Sequence, residues 1–180
     1  MIIDDLKDIE RRSIYRRIPI LGRVKGEWLL KAINKIKPEN ILELGTANGY
    51  SGIILGSTGA KLTTIDVDEK LSLEAKENFQ EFNVKADVVV GDAVDIVSKL
   101  AKKKENFGTF DLIFIDFEKR RYIDVLEDCL KLLKNHGYII ADNITFDAVK
   151  DFKDIVLKHP RLETDIIEVG DGLSLSKKVY

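Results

Sequence analysis

Two short apolar runs in the sequence end in polar residues of types that can do chemistry. The run FDLIFIDFEK extends from Phe110 to Lys119 and carries Asp116 near its end. The run GYIIADN ends in Asp142 and Asn143. Buried strands of α/β proteins bind ligands beyond their carboxyl ends. We therefore expect Asp116, Asp142 and Asn143 to converge on one site.

The pattern of the remaining chain indicates how these strand ends come together. From residue 40 onward, short apolar runs alternate with amphipathic stretches of helical period. This alternation predicts an α/β fold made of β-α-β units, with a mostly parallel sheet and helices on both faces. The runs LETDIIEV and GLSLSKKVY flank Gly170-Asp171-Gly172 and predict a C-terminal antiparallel hairpin. The complete sheet is expected to have seven strands.

Length and composition bound the class of protein. The 180 residues, 44% hydrophobic and 33% charged, predict a single domain over 1–180, with a helical leader at 1–37 and a core at 38–180. The net charge of -2 does not indicate a nucleic-acid partner for the whole molecule, and the single cysteine excludes an internal disulfide. No run approaches the roughly 20 apolar residues that cross a bilayer. We expect a cytoplasmic protein with no membrane partner.

The first predicted strand ends in the stretch ELGTANGYSG, residues 43–52, whose loop contains two glycines suited to a close ligand approach. Gly45 and Gly49 allow tight turns and leave room that a side chain would fill. Their spacing differs from the GxGxxG pattern of dinucleotide-binding folds. Glu43, just ahead of the loop, favours a ligand with a cationic group.

Acidic residues also end the next two predicted strands. Asp66 is placed to accept hydrogen bonds from ribose hydroxyls. Asp68 is expected to cap the following helix. Asp92, next to Gly91, has two interpretations that the sequence leaves open, since it either flanks an adenine ring or only caps the next helix.

The motifs ELGTANGYSG, TTIDVD, GDAVD, FDLIFIDFEKRRY and GYIIADN, in this order and spacing, resemble those of class I S-adenosylmethionine-dependent methyltransferases. The combination of FIDxxK with ADN is similar to the metal-dependent O-methyltransferases typified by catechol and caffeoyl-CoA O-methyltransferase. The resemblance extends from about Gly26 to the carboxyl terminus. It implies a Rossmann-like fold, a homodimer, and methyl transfer to a hydroxyl of a small diol-type acceptor.

The resemblance also implies roles for individual residues. Asp116, Asp142 and Asn143 would ligate a divalent cation, usually Mg²⁺, with Mn²⁺ or Ca²⁺ as other options. Lys119 would act as the general base, with Asp116 as its catalytic neighbour. The S-adenosylmethionine site would comprise Glu43, Gly45, Ala47, Gly49, Tyr50, Ser51, Asp66, Val67, Gly91, Asp92, Ala93 and Asp116.

Departures from the family pattern affect three positions. Ala47 stands where many class I methyltransferases have a glycine, and Glu118 adds a carboxylate without an assigned role. In catechol O-methyltransferase a carboxylate near the carboxyl terminus grips the second catechol oxygen. Alignment of IIEVGDGL with that region places Asp165 opposite it.

Two alternative functions remain open. The first is a tRNA-modifying O-methyltransferase that acts on a hydroxylated wobble uridine. A basic cluster near the amino terminus would suit its phosphate contacts, and it consists of Arg11, Arg12, Arg16 and Arg17, with Arg23 and Lys25. The second alternative is a non-catalytic adenosine- or nucleotide-binding protein.

Overall fold

Seven strands form one sheet within residues 2–180, the part of the chain that the computed structural model describes. The strands are β1 (Asn40–Leu44), β2 (Lys61–Asp66), β3 (Ala86–Val90), β4 (Phe110–Ile115), β5 (Leu133–Asp142), β6 (Leu162–Ile167) and β7 (Leu173–Lys178). Their order in the sheet is β3-β2-β1-β4-β5-β7-β6. Strands β1 to β5 pair in parallel, whereas β7 pairs antiparallel with both β5 and β6. The predicted mostly parallel sheet with a C-terminal antiparallel hairpin is confirmed.

Helices cover both faces of this sheet. They are α1 (Ile2–Asp5), α2 (Lys7–Arg16), α3 (Arg23–Ile36), α4 (Tyr50–Gly56), α5 (Glu69–Glu81), α6 (Ala93–Ala101), α7 (Tyr122–Leu132) and α8 (Lys150–Lys158). Met1, the first residue of the predicted leader, lies outside the described residues. Within residues 2–180, no helix combines the length and the apolar character needed to cross a membrane.

The core consists of two apolar clusters, one on each side of the sheet. Helices α1 to α5 contribute to one cluster, and α6, α7 and α8 contribute to the other. Neighbouring residues of a strand point to opposite faces, so that Ile113 belongs to one cluster and Phe114 to the other. Burial on both faces explains why β4 is a continuous apolar run rather than an alternating one.

Local capping explains where two of the helices begin. The Asp68 carboxylate accepts hydrogen bonds from the backbone N–H groups of Lys70 and Leu71 at the start of α5. The Asp92 carboxylate accepts one from Asp95 N–H at the start of α6. Such contacts satisfy backbone donors that have no partner within the first helical turn. The predicted cap at Asp68 is confirmed.

The centre of the sheet provides the place for a ligand. Strand order reverses between β1 and β4, and crevices in doubly wound sheets form at such reversals. The two strand ends lie very close together, because Asp116 N–H donates to the Leu44 carbonyl at 2.8 Å. A Cβ atom on Gly45 would lie 2.0 Å from the Asp116 carbonyl oxygen, so only glycine fits there.

Candidate active site

A cavity of about 400 Å³ opens at the carboxyl ends of the central strands. Its volume lies within the range of roughly 300–1,000 Å³ that is typical of small-molecule sites. Most residues predicted for the cofactor line it, namely Gly45, Ala47, Tyr50, Ser51, Asp66, Val67, Gly91, Asp92, Ala93 and Asp116. Two predicted members, Glu43 and Gly49, are not among its lining residues.

Glu43 lies beneath the cavity rather than in its wall. It is fully buried, and its two carboxyl oxygens accept hydrogen bonds from Ser51 Oγ at 2.6 Å and Thr64 Oγ1 at 2.5 Å. Burial raises the pKa of Glu43 to about 8, against an ordinary value of 4.5. Near neutral pH the group is therefore mostly uncharged. It supports Ser51, which does line the cavity.

Gly49 is required for packing of the helices. Its φ of +90° lies in the left-handed region, which glycine adopts without a steric penalty. A Cβ atom at this position would lie 3.1 Å from the Phe79 ring in α5. The glycine thus lets the start of α4 pack against α5.

Asp66 holds the loop after β1 in place. Its Oδ2 accepts a hydrogen bond from Ala47 N–H at 2.8 Å, and its Oδ1 accepts one from Asp68 N–H at 2.9 Å. Ala47 takes a left-handed φ of +44°, a conformation that L-residues other than glycine adopt at a cost. An ionised carboxylate has about four acceptor positions, so Asp66 keeps capacity for a ligand hydroxyl.

For Asp92 the structure shows the helix cap of α6 and a position in the cavity wall. Its second carboxylate oxygen accepts a hydrogen bond from the Arg121 guanidinium, and that hydrogen bond is the largest cause of the lowered pKa of Asp92. Arg121 lines the same cavity. The ion pair therefore joins the loop after β3 to the turn after β4.

Lys119 and Asp116 form a close pair at the end of β4. Lys119 Nζ donates to Asp116 Oδ1 at 2.6 Å and to the Phe117 carbonyl at 3.1 Å. The same nitrogen lies 5.6 Å from the centroid of the Tyr122 ring, within cation–π range. Both Lys119 and Asp116 line the cavity. A basic group and a carboxylate are thus held side by side where a ligand would lie.

Asp142 and Asn143 end β5 and join a second cluster, which also contains Lys25 and Asp171. Lys25 Nζ donates to Asp142 Oδ1 at 2.7 Å, to Asp142 Oδ2 at 2.6 Å and to Asp171 Oδ1 at 2.6 Å. Asn143 Nδ2 donates to Asp171 Oδ2 at 2.5 Å, which leaves its carbonyl oxygen as the acceptor. The four side chains tie α3 and β5 to the β6–β7 turn.

Burial and the charges of the ion-pair partners have opposite effects on the pKa values of Lys25 and Asp142. Burial lowers the pKa of the Lys25 ammonium, but hydrogen bonds and charges from Asp142 and Asp171 outweigh it, so the pKa is raised overall. Burial and the nearby charge of Asp116 raise the pKa of Asp142, although Lys25 acts to lower it. Asp116 and Asp142 follow directly on paired positions of neighbouring strands, since Ile115 of β4 pairs with Ala141 of β5.

The oxygen donors at these strand ends fit a divalent cation. Carboxylate and amide oxygens are the ligands that Mg²⁺ and Ca²⁺ prefer. Among residues 2–180 the buried Tyr122 hydroxyl has no hydrogen-bond partner, and burial, with the charges of Asp116, Asp142 and Asp171, raises its pKa. Within residues 2–180, no three His, Cys, Asp or Glu side chains form a metal-binding group. The predicted metal set therefore depends on Asn143.

A family model described as O-methyltransferase matches residues 2–179. The chain belongs to the O-methyltransferase family. The resemblance of its motifs to those of O-methyltransferases is confirmed at the level of this family.

Individual relatives of this O-methyltransferase family member agree with the assignment. Catechol O-methyltransferase of Bos taurus is 32% identical over 175 residues, which are 89% of this chain and 63% of the relative. Caffeoyl-CoA O-methyltransferase 2 of Eucalyptus globulus is 27% identical over 190 residues, covering 86% of this chain and 73% of the relative. The chain thus spans somewhat less than two thirds of the length of the bovine relative.

A solved structure shows the same fold. The O-methyltransferase from Bacillus cereus in complex with SAH superposes with a TM-score of 0.82 at 24% identity, covering 96% of this chain and 90% of that one. Similarity at this identity concerns the fold alone. The expected Rossmann-like methyltransferase fold is confirmed.

One sequence-based placement in this O-methyltransferase is wrong. Asp165, aligned with the carboxylate that grips the second catechol oxygen, is exposed in the middle of β6 and pairs with Leu175. The carboxylate that lies beside Asp142 is Asp171, in the turn before β7. The alignment was out of register because nothing local in β6 marks which acidic residue lies level with the end of β5.

The basic cluster of the leader is also less available than predicted. Lys25 is only 8% exposed and is paired with Asp142 and Asp171, so it cannot contribute to a phosphate-binding surface. Arg16 pairs with Glu74 at 2.7 Å. The remaining pairs of the cluster are Arg11 with Asp8 and Arg23 with Asp4 and Glu27. The structure therefore does not favour the tRNA alternative.

Three residues of the site were missed by sequence reasoning. Lys25 was assigned to the exposed basic cluster, Asp171 only to a turn, and Arg121 to no role. The Gly-Asp-Gly sequence around Asp171 is the one signal that marks an acid in a tight turn next to a strand. Nothing in the sequence links Lys25 to Asp142, which lies 117 positions later.

Proposed function

We propose that this chain is an S-adenosylmethionine-dependent O-methyltransferase that uses a divalent cation and methylates a hydroxyl of a small diol-type acceptor. The observation that carries the proposal is the position of Lys119 and Asp116 in the wall of a cavity of about 400 Å³, with Asp142 and Asn143 at the end of the adjacent strand. Family membership supports methyl transfer to oxygen. The SAH-bound Bacillus cereus relative supports the choice of methyl donor.

The residues that line the cavity suit the parts of S-adenosylmethionine. We assign the ribose to Asp66, the adenine to the segment from Gly91 to Ala93, and the amino-acid end to Ser51. Each lines the cavity, and Asp66 retains free acceptor capacity. When bound, this cofactor supplies the methyl group from its sulfonium.

The cation, Mg²⁺ or alternatively Mn²⁺ or Ca²⁺, is assigned to oxygen atoms of Asp116, Asp142 and Asn143. Support comes from the hard oxygen donors and from the accumulated negative charge near the buried Tyr122 hydroxyl. When bound, such an ion lowers the pKa of an acceptor hydroxyl and orients it. We assign the hydrogen bond from a second acceptor hydroxyl to Asp171, which contacts Asn143 and shares Lys25 with Asp142.

Lys119 is assigned as the group that removes the acceptor proton. In its neutral form, Nζ accepts the hydroxyl proton, and the resulting ammonium is stabilised by Asp116 at 2.6 Å. The partly buried position of Lys119 over the Tyr122 ring limits the orientations of its side chain. A fixed base next to a fixed acceptor provides the proximity on which a direct displacement depends.

Calorimetric titration tests the proposal. S-adenosylmethionine is titrated into the wild type with Mg²⁺ and with chelator, followed by a catechol as third component. We expect cofactor binding in both conditions but catechol binding only with Mg²⁺. Asp142→Ala should lose catechol binding, whereas the matched control Asp165→Ala, which changes an exposed carboxylate, should retain it. A protein that does not bind the cofactor at all would refute the assignment as a methyltransferase.

A further inference from the structure

The Lys25 ammonium is bound to two carboxylates at the proposed metal site. Its Nζ lies 2.7 and 2.6 Å from the two oxygens of Asp142 and 2.6 Å from Asp171 Oδ1. The Lys25 side chain is 10% exposed and that of Asp142 is 2% exposed. The ion pair is therefore almost entirely removed from water. Charge interactions are screened least in such a buried place.

Lys25 extends from a helix that is packed in the core. Lys25 belongs to the first turn of α3, and α3 is anchored in the core by Leu29 and Ile33. The stem of its side chain lies 3.5 Å from the position that a Cβ atom on Gly170 would take. The side chain thus passes next to the β6–β7 turn on its way to Asp142 and Asp171.

The hydrogen bonds that Asp142 already accepts limit what else can bind to its carboxylate. Oδ1 accepts from both Lys25 Nζ and Asn143 N–H, and Oδ2 accepts from Lys25 Nζ. A carboxylate has about four acceptor positions, so three are in use. A cation that binds Asp142 must share the carboxylate with an ammonium of the same charge sign.

We propose that Lys25 is a positioning residue that holds Asp142 and Asp171 in place and sets the affinity of the site for divalent cations by competing for the Asp142 carboxylate. The inference rests on the proposed metal-dependent function. It has two consequences of different kinds. Loss of the Lys25 charge removes a repulsive neighbour and so tightens cation binding. The same loss leaves a buried carboxylate unpaired and so destabilises the cation-free protein.

The Lys25→Met variant tests both consequences, because methionine keeps most of the side-chain length without the charge. Lys178→Met is the matched control, since Lys178 is also 8% exposed but donates to the carbonyls of Leu130 and Leu133. Free Mn²⁺ is followed by electron paramagnetic resonance during titration, and Tm is measured with chelator and with Mg²⁺. Neither measurement depends on enzymatic activity.

We expect Lys25→Met to bind Mn²⁺ at least about tenfold more tightly than the wild type. Its Tm in chelator should be lower, and its gain in Tm on adding Mg²⁺ should be larger than that of the wild type. Lys178→Met should lose Tm without any change in Mn²⁺ affinity. Equal or weaker Mn²⁺ binding by Lys25→Met would overturn the inference and leave Lys25 a purely structural residue.

A second variant covers the case in which Lys25→Met does not fold. Asp171→Asn leaves Lys25 paired with Asp142 alone, so Mn²⁺ binding should be weaker than in the wild type, and unchanged or tighter binding would contradict the proposed competition. A failure of the proposed function would give a different pattern of binding results. If the wild type binds S-adenosylmethionine but neither it nor Lys25→Met binds Mn²⁺, the metal site itself is refuted, and the inference with it.

Discussion

Lys119 Nζ and Asp116 Oδ1 lie 2.6 Å apart at the end of β4, in the wall of the cavity. The two residues are three positions apart, and the turn between them brings the ammonium back towards the strand end. The acceptor hydroxyl would thus meet a base and a proposed metal ligand that are already in contact. This pairing gives a physical reason for the three-residue spacing between Asp116 and Lys119 in the FIDxxK motif.

Replacement of Lys119 should abolish proton removal while leaving the cofactor site intact. We expect Lys119→Met to lower kcat by about 10²–10⁴-fold, the usual contribution of a general base. Lys119→Arg should be nearly as inactive, because arginine keeps the charge but does not release its proton. Steady-state kinetics and S-adenosylmethionine titration check this. Recovery of more than about a tenth of kcat in Lys119→Arg would argue against a base at this position.

Asp66 should contribute to cofactor affinity, whereas its neighbour Asp68 should not. Loss of a hydrogen bond to a charged group costs about 1.5–3 kcal/mol, so Asp66→Ala should weaken S-adenosylhomocysteine binding by roughly 10–150-fold. Asp68→Ala removes only the cap of α5 and should cost about 1 kcal/mol of stability with no change in binding. Calorimetry and urea denaturation separate the two effects. Equal cofactor affinity of both variants would remove the ribose assignment.

Close contact between the ends of β1 and β4 should make Gly45 intolerant of substitution. A Cβ atom there would lie 2.0 Å from the Asp116 carbonyl oxygen, and the φ of Gly45 is +103°. Strain and overpacking together should cost Gly45→Ala roughly 2–5 kcal/mol. Gly59 also has a positive φ, of +86°, but a Cβ atom would meet nothing within 4 Å. Gly59→Ala should therefore cost only about 1–2 kcal/mol, measured by urea denaturation.

Burial of Glu43 should make stability fall as pH rises. The folded protein keeps the Glu43 proton up to about pH 8, whereas the unfolded chain loses it near 4.5. The folded state therefore binds more protons between these values, and the free energy of unfolding decreases with rising pH. One pKa unit corresponds to about 1.4 kcal/mol, so the loss from pH 5 to 8 is on the order of 4 kcal/mol.

Urea denaturation of Glu43→Gln in chelator measures this contribution. The variant has a similar shape and no titrating group, so its stability relative to the wild type should increase by on the order of 4 kcal/mol from pH 5 to 8. Glu81→Gln, the same substitution at an exposed position in α5, is the control. A pH-independent difference for Glu43→Gln would mean that Glu43 is ionised in the folded state.

Local patterns accounted for most of the fold. The seven strands and the helix cap at Asp68 depend on short apolar runs and on contacts within three residues, which are visible in the sequence. The same local patterns predict that Glu43 contacts a cationic ligand group, because it is an acidic residue just before a glycine-containing loop. Its burial beneath Ser51 depends on helices covering both faces of the sheet, and no single motif shows that.

The sequence by itself determined the α/β pattern, the candidate residues at the strand ends and the family resemblance, since these depend on residue type and on short spacing. Only the tertiary structure decided which side chains meet. Lys25 contacts Asp142 across 117 positions, and Asp171 rather than Asp165 reaches the site because β7 pairs antiparallel with β5. Such contacts depend on how helices and strands pack together, and packing is a property of the whole chain.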